Sequence, residues 1–131
     1  MTAAKAIKDI LVAEFPELTF GVNLFIGLEP DSPPSVVTLF DISAKTRPLV
    51  KSSFSEHKGI VQIRVRNTDY QAAEELCTDI ISALENISGT YDGAHYVLIR
   101  SVDQPMLLGF DNNNRAWFTG AVSFIREVSN G

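Results

Sequence analysis

The sequence predicts an α+β domain, a mainly antiparallel β-sheet flanked on one face by two α-helices. Two observations predict it. Between Gly59 and Ile87 the hydrophobic period changes once, from two to about 3.6, so a strand hands over directly to a helix. Along the whole chain the predicted order is helix, strands, helix, strands, which is the pattern of a sheet with its helices set to one side. No internal repeat or linker divides residues 1–131, and they read as a single domain.

The first element is a helix from Thr2 to Phe15. Ile7, Ile10, Leu11 and Phe15 recur at helical spacing, Thr2 is placed to cap the start, and Pro16 stops it. Phe20 to Leu28 mixes β-formers with Gly21 and Asn23, and the three prolines of Glu29–Ser35 cannot sit inside a ladder. A strand is therefore expected to end near Leu28, and the next, Val36 to Ile42, to begin after the prolines. Ser43 to Lys58 carries polar and basic residues and Pro48 with no sustained period, and reads as a long connection.

Val61, Ile63 and Val65 then alternate with Gln62, Arg64 and Arg66, the signature of a half-buried strand. After Asn67, the residues Tyr70, Ala73, Cys77, Ile80, Ile81 and Leu84 form one apolar helical stripe, with Gln71, Glu74, Glu75, Thr78 and Asp79 left toward water. Thr68 and Gln71 have capping-box spacing. Ser88, Gly89, Asp92 and Gly93 are read as terminating the helix, His95 to Val102 as a strand, and Pro105 as its break. Two β-rich runs then flank Asp111–Asn114, whose Asn residues tolerate left-handed backbone angles. In the last run Phe118, Val122 and Phe124 alternate with Trp117, Thr119, Ala121, Ser123 and Ile125. Neither face of that strand is strongly charged, so both call for cover, from the chain's own helices or from another subunit.

Composition excludes several classes of function. With 131 residues, 45% of them hydrophobic and eight of them Phe, the chain can bury a core without disulfides. It has no apolar run of about 20 residues, so no membrane partner is expected. Lys5, Lys8, Asp9 and Glu14 interrupt any signal-peptide core, which points to synthesis in the cytoplasm. The net charge of −5 argues against nucleic-acid binding through the overall field, though it permits a local basic patch. The single Cys77 lies on the apolar stripe and reads as a core residue rather than a nucleophile.

No phosphate loop, paired cysteines or helical histidine pair is present, so neither cofactor nor metal is expected. His57 and His95 have no ligand partner nearby in sequence, and Asp31, Asp41, Asp69 and Asp111 lie near turns, where Asp serves local hydrogen bonds. Arg64 and Arg66 share a strand face, and Arg100 joins them if the strands are neighbours. Three readings stay open for them: a solvated outer face, a subunit interface meeting a neighbour's carboxylates, or phosphate contact. Lys45, Arg47, Lys51 and Lys58 make the long connection basic; an exposed flexible loop is the ordinary explanation.

These segments carry a resemblance. The succession NLFIGLEPDSPPSVVTLFDI, GIVQIRVRNTDYQAAEELCTDIISAL and QPMLLGFDNNNRAWFTGAVSFIREV resembles the tail-terminator or tail-completion proteins of long-tailed bacteriophages, often labelled minor capsid proteins. The resemblance covers nearly the whole chain, and its best local match is the junction from Ile63-Arg64-Val65-Arg66 to Asp69-Tyr70. It implies a non-enzymatic virion protein made in the host cytoplasm and placed at the head-tail junction. There it would form a homo-oligomeric ring, commonly hexameric, that contacts the tail tube protein and a head-completion or connector protein, with DNA only passing through the lumen. On that reading the subunit contacts are expected at Arg64, Arg66, Trp117, Thr119, Ala121 and Ile125, and the basic residues Lys45, Arg47, Lys51 and Lys58 form a docking loop. The alternatives are another head-tail junction protein, such as a stopper or adaptor, or a small cytosolic ligand-binding domain or enzyme using a pocket between sheet and helices.

Overall fold

The computed structural model describes residues 3–48, 54–102 and 104–129, and side chains within these except those of 43–48, 54–56, 128 and 129. Its elements in chain order are α1 (Ala3–Glu14), β1 (Leu24–Ile26), β2 (Val36–Pro48), β3 (Phe54–Asn67), α2 (Tyr70–Ala83), β4 (Ile87–Tyr91), β5 (Ala94–Ser101), β6 (Met106–Phe110) and β7 (Ala116–Ser129). The strands form one sheet in the order β1-β2-β3-β7-β5-β4, and β6 also pairs with β7. The sheet is mixed, because β1 runs parallel to β2 while every other pair is antiparallel.

Strand β7 is the centre of this sheet. One of its edges pairs with β3 along its full length, from Asn67↔Ala116 to Phe54↔Ser129. The other edge is shared: β6 takes Ala116 to Thr119, and β5 takes Val122 to Glu127. Both helices cover the face that presents Val37, Leu39, Val61, Ile63, Val65, Phe118, Val122 and Phe124, and these join the helices' buried residues in one core. α2 sits close: a Cβ on Gly120 would lie 2.7 Å from Ile81 Cδ1 and 2.8 Å from Ile81 Cγ1, so any larger residue there must displace the Ile81 side chain.

The caps differ from the sequence expectation. Thr2 lies outside the described residues; the Ala4 N–H in the first turn of α1 donates instead to Asp41 Oδ1 of β2, 3.1 Å away. Asp41 is thus a strand residue that satisfies a free helix N–H from a distance, and its negative charge suits the helix start. At α2 the cap is Asp69 rather than Thr68, with Asp69 Oδ1 accepting from the Gln71 N–H at 3.0 Å. The stripe of α2 is buried at Ala73, Cys77, Ile80, Ile81 and Leu84, whereas Tyr70 is exposed, its ring edge-on to Phe118 and stacked on Phe110.

Three strand assignments also change. Ser43–Lys58 is not a long irregular connection: β2 continues to Pro48 and β3 begins at Phe54, paired from Ser43↔Ile60 to Pro48↔Ser55. The ladder's backbone hydrogen bonds hold this arm together, and its largely polar sequence leaves no alternation to read. Phe20–Leu28 yields only three strand residues, bounded by Gly21 and Gly27, both at positive φ. Finally, Ser88 and Gly89 do not merely end the helix but lie in β4, which turns into β5 through Asp92 and Gly93, both left-handed, as a two-residue hairpin requires.

Candidate assembly surface

The face of the sheet away from the helices carries the residues that sequence alone marked out. On it, the proline-rich segment 27–35 folds back over the strands and is held there by arginines. Arg66 is only 3% exposed. Its Nη2 donates to the carbonyls of Pro33 (2.7 Å) and Asp31 (3.2 Å), its Nε to that of Pro34 (3.2 Å), and its Nη1 to Glu29 Oε1 (3.4 Å). A planar guanidinium with donors on several sides suits this work; a lysine ammonium cannot span the same acceptors. Burial and the neighbouring Arg115 pull the Arg66 pKa down, against the opposing influence of Glu29, Asp111 and Asp31.

Glu29 gathers three donors. Its Oε2 accepts from Arg64 Nη1 at 3.1 Å, and its Oε1 accepts from the Trp117 indole N–H at 2.8 Å as well as from Arg66. The Arg64 guanidinium also lies over the rings of Phe40 (5.2 Å) and Trp117 (5.7 Å), a cation–π arrangement on both aromatics. A second anchor comes from the β6–β7 turn. Arg115 is buried; its Nε donates to Asp111 Oδ2 at 2.6 Å, Nη1 to the Asp31 carbonyl at 2.6 Å, and Nη2 to Asp31 Oδ1 at 2.7 Å. Asp111 Oδ1 in turn accepts from the backbone N–H groups of Asn113 and Arg115, each at 2.9 Å. Burial alone would raise the Asp111 pKa, but these hydrogen bonds and the Arg115 charge outweigh it and hold the carboxyl below its ordinary range. The Arg115 pKa is raised, first by its bonds to Asp31 and Asp111.

The expected contact residues therefore share one face but differ in accessibility. Arg66 and Thr119 are buried, the latter accepting from Gln62 Nε2 (3.1 Å) and donating to the Ile63 carbonyl (3.2 Å). Arg64, Trp117, Ala121 and Ile125 are half-buried. Ala121 and Thr119 line a shallow groove of about 190 Å³ with Ile42, Gln62, Gln104, Met106 and Gly120. Arg100 is on the same face but opposite Ser123, two strands from Arg64 and away from the arginine cluster. Of the basic arm, Lys51 lies outside the described residues, as do the side chains of Lys45 and Arg47; Lys58 is exposed.

Sequence reasoning missed Glu29, Asp31 and Arg115 as partners, although two acidic residues around a proline run opposite a doubly basic strand were a usable signal. It also missed Arg126, buried on the helix-bearing face with Nη1 donating to the Tyr96 hydroxyl at 2.8 Å and its guanidinium over the Tyr96 and Phe124 rings. Burial and Arg126 together lower the pKa of His57, which pairs across the ladder with Arg126. Among the described residues no group of His, Cys, Asp or Glu could hold a metal ion, and no helix is long and apolar enough to cross a membrane.

Comparison with known proteins bears on this arrangement. The family model described as "Bacteriophage tail terminator protein" matches residues 6–124, which take in all but the first turn of α1 and the end of β7. Among solved structures, a chain from "Virion of native gene transfer agent (GTA) particle" has a similar fold, with a TM-score of 0.65 over 93% of this chain and 92% of that one, at 11% identity. A search among curated proteins produced no sequence match.

Proposed function

Because the chain belongs to the bacteriophage tail terminator family, we propose that it forms a ring, hexameric in stoichiometry, on the head-proximal end of a tail tube. There the ring arrests tube elongation and offers a surface on which a head-completion or connector protein docks. The family match across almost the entire chain carries this reading; the likeness in fold to a chain of a virion particle accords with it. The protein is a structural component of the phage tail and not an enzyme.

The mechanism is geometric. Subunits that meet through two different patches build either an open helix or a closed ring, and the rotation at each contact decides which. A rigid sheet fixes that rotation, and the arginine-held 27–35 segment sets the shape of its outer face. On this proposal Arg64, Ala121 and Ile125 contribute contact surface, while Arg66, Trp117 and Thr119 act from beneath by fixing that shape. The arm built from β2 and β3, with Lys45, Arg47, Lys51 and Lys58, reaches toward the docking partner, and DNA passes through the lumen. Polymerising tail tube protein with and without the chain tests the reading: substoichiometric chain should shorten the tubes and narrow their length distribution. Unchanged tube lengths at saturating chain would reject it.

A further inference from the structure

Among the described residues, the buried Arg126 has no counter-charge. It ends the row of β7 residues that face the helices, after Phe118, Val122 and Phe124, and is 6% exposed. Its Nη1 donates to the Tyr96 hydroxyl at 2.8 Å, and its guanidinium lies 5.7 Å and 5.2 Å from the centres of the Tyr96 and Phe124 rings. Its Nε is buried with no acceptor, and no carboxylate among the described residues comes within ion-pairing distance. Tyr96 does not supply the charge, because burial raises its pKa and keeps the hydroxyl neutral. Asp41 is committed to the start of α1, and Asp92, in the β4–β5 turn, keeps its own Oδ2 buried without a donor.

A guanidinium cannot shed its proton, so the charge stays in place. A buried, unpaired charge is costly, and one hydroxyl and two ring faces offset that cost only in part. A methionine would pack against Tyr96 and Phe124 without it. His57, across the ladder from Arg126, reports the same imbalance: burial and then the Arg126 charge pull its pKa down.

We propose that Arg126 is a binding site for a carboxylate carried by a second protein chain, which completes the ion pair when the two chains abut. A protein carboxylate fits better than a nucleic-acid phosphate, because the net charge of −5 repels a polyanion, whereas a flat carboxylate can meet the edge of a guanidinium whose faces lie against rings. Arg126 lies on the opposite face of the sheet from Arg64 and Ile125, so it marks a different patch from theirs, as a ring built from unlike patches requires. The site rests on the terminator reading only for the identity of the abutting chain.

Sodium acetate is the probe for the site, used on the full chain. The two histidines give two imidazole signals in NMR, and His95, opposite Glu127 on the other face, is the internal control. Acetate up to about 0.3 M, compared with sodium chloride at equal ionic strength, should raise the His57 pKa saturably, since it neutralises Arg126. Arg126→Met should abolish the response, and its urea midpoint should equal or exceed that of wild type, because an uncompensated charge has gone. Arg126→Lys should keep part of the response. The proposal is overturned by no acetate response in wild type, by a response only in Asp92→Asn, which would show that Asp92 fills the site, or by a response to inorganic phosphate alone, which would assign the site to nucleic acid. A urea midpoint of Arg126→Met well below wild type would make the arginine a core residue and overturn it too. Light scattering across a concentration series and co-sedimentation with tail tubes then identify the abutting chain. Arg126→Met should weaken one of these contacts roughly thirtyfold or more: self-association if the carboxylate belongs to a second copy, tube binding if it belongs to another tail protein. Both contacts unchanged would overturn the proposal, whereas a wild type that never binds tubes would sink the terminator reading and leave the acetate result standing.

Discussion

Replacing Arg66 with Met keeps the bulk of the side chain on β3 and removes the four hydrogen bonds that Arg66 gives to the 27–35 segment, leaving those from Arg64, Trp117 and Arg115. Three backbone carbonyls, of Asp31, Pro33 and Pro34, lose a charged partner, and Glu29 loses one of three. At about 1 kcal/mol for each of the Pro33 and Pro34 carbonyls, the low end for a segment that water can reach, and less for the Asp31 carbonyl, which keeps Arg115, and for Glu29, which keeps Arg64 and Trp117, the variant should lose about 2–3 kcal/mol. That is a large part of the roughly 5–15 kcal/mol by which a domain of this kind is stable. Arg66→Lys should recover less than half, because one ammonium cannot reach acceptors on several sides. Urea unfolding followed by tryptophan fluorescence suits the measurement, since Trp117 lies within the cluster. Arg100→Met, on the same face but exposed, should stay within about 0.5 kcal/mol of wild type. If Arg66→Met were as mild as Arg100→Met, or if Arg66→Lys restored full stability, the account of the clamp would be refuted. The double reversal of Arg64 and Arg66 to Glu places new carboxylates against Glu29 and disturbs fold and assembly together, so Arg64→Glu alone is the cleaner probe of a subunit contact.

Gly120→Ala should cost about 1–3 kcal/mol by pushing α2 off the sheet, and the cost should largely vanish in an Ile81→Ala background, where both close carbon atoms are gone; a double-mutant cycle without coupling would contradict this. Cys77 is fully buried and its thiol pKa is pushed up to about 12, so the native protein should resist thiol reagents until it unfolds, and Cys77→Ser should lower stability by roughly 1–3 kcal/mol through a buried hydroxyl. The depressed pKa of Asp111 stabilises the fold above the unfolded value, about 3.9, and that contribution disappears as pH falls through the lower folded value. Stability of Asp111→Asn measured from pH 6 down to pH 2 should therefore fall less steeply at the acid end than that of wild type; parallel curves would count against the Arg115–Asp111 pair.

Local periodicity explains what could be read directly. Val61, Ile63 and Val65 alternate because one face of β3 is buried, and the α2 stripe repeats because one side of the helix lies on that same face. The Asp111–Asn114 turn is equally local, with Asp111 bonding its own neighbours. Features built from distant partners were not legible. Arg64 and Arg66 alternate like solvent-facing residues, yet Arg66 is buried by a segment more than thirty positions earlier in the chain. Asp41 resembles an ordinary turn carboxylate until α1 is laid against β2. The paired arm, residues 43–48 with 55–60, shows no period because its order resides in backbone hydrogen bonds, which leave no mark on side-chain pattern. β4 escaped because it is only five residues long and has Gly89, a weak strand former, in its middle.

The central claim concerns where the protein acts, and imaging tests it most directly. Purified chain should be mixed with preformed tail tubes, tagged at a terminus with a gold label and examined by negative-stain electron microscopy with end-on averaging. Label confined to one end of each tube, with a closed ring of subunits around the lumen and no further growth from that end, is the predicted result. Label spread along the tube walls, at both ends alike, or absent from tubes at saturating concentration would contradict the account.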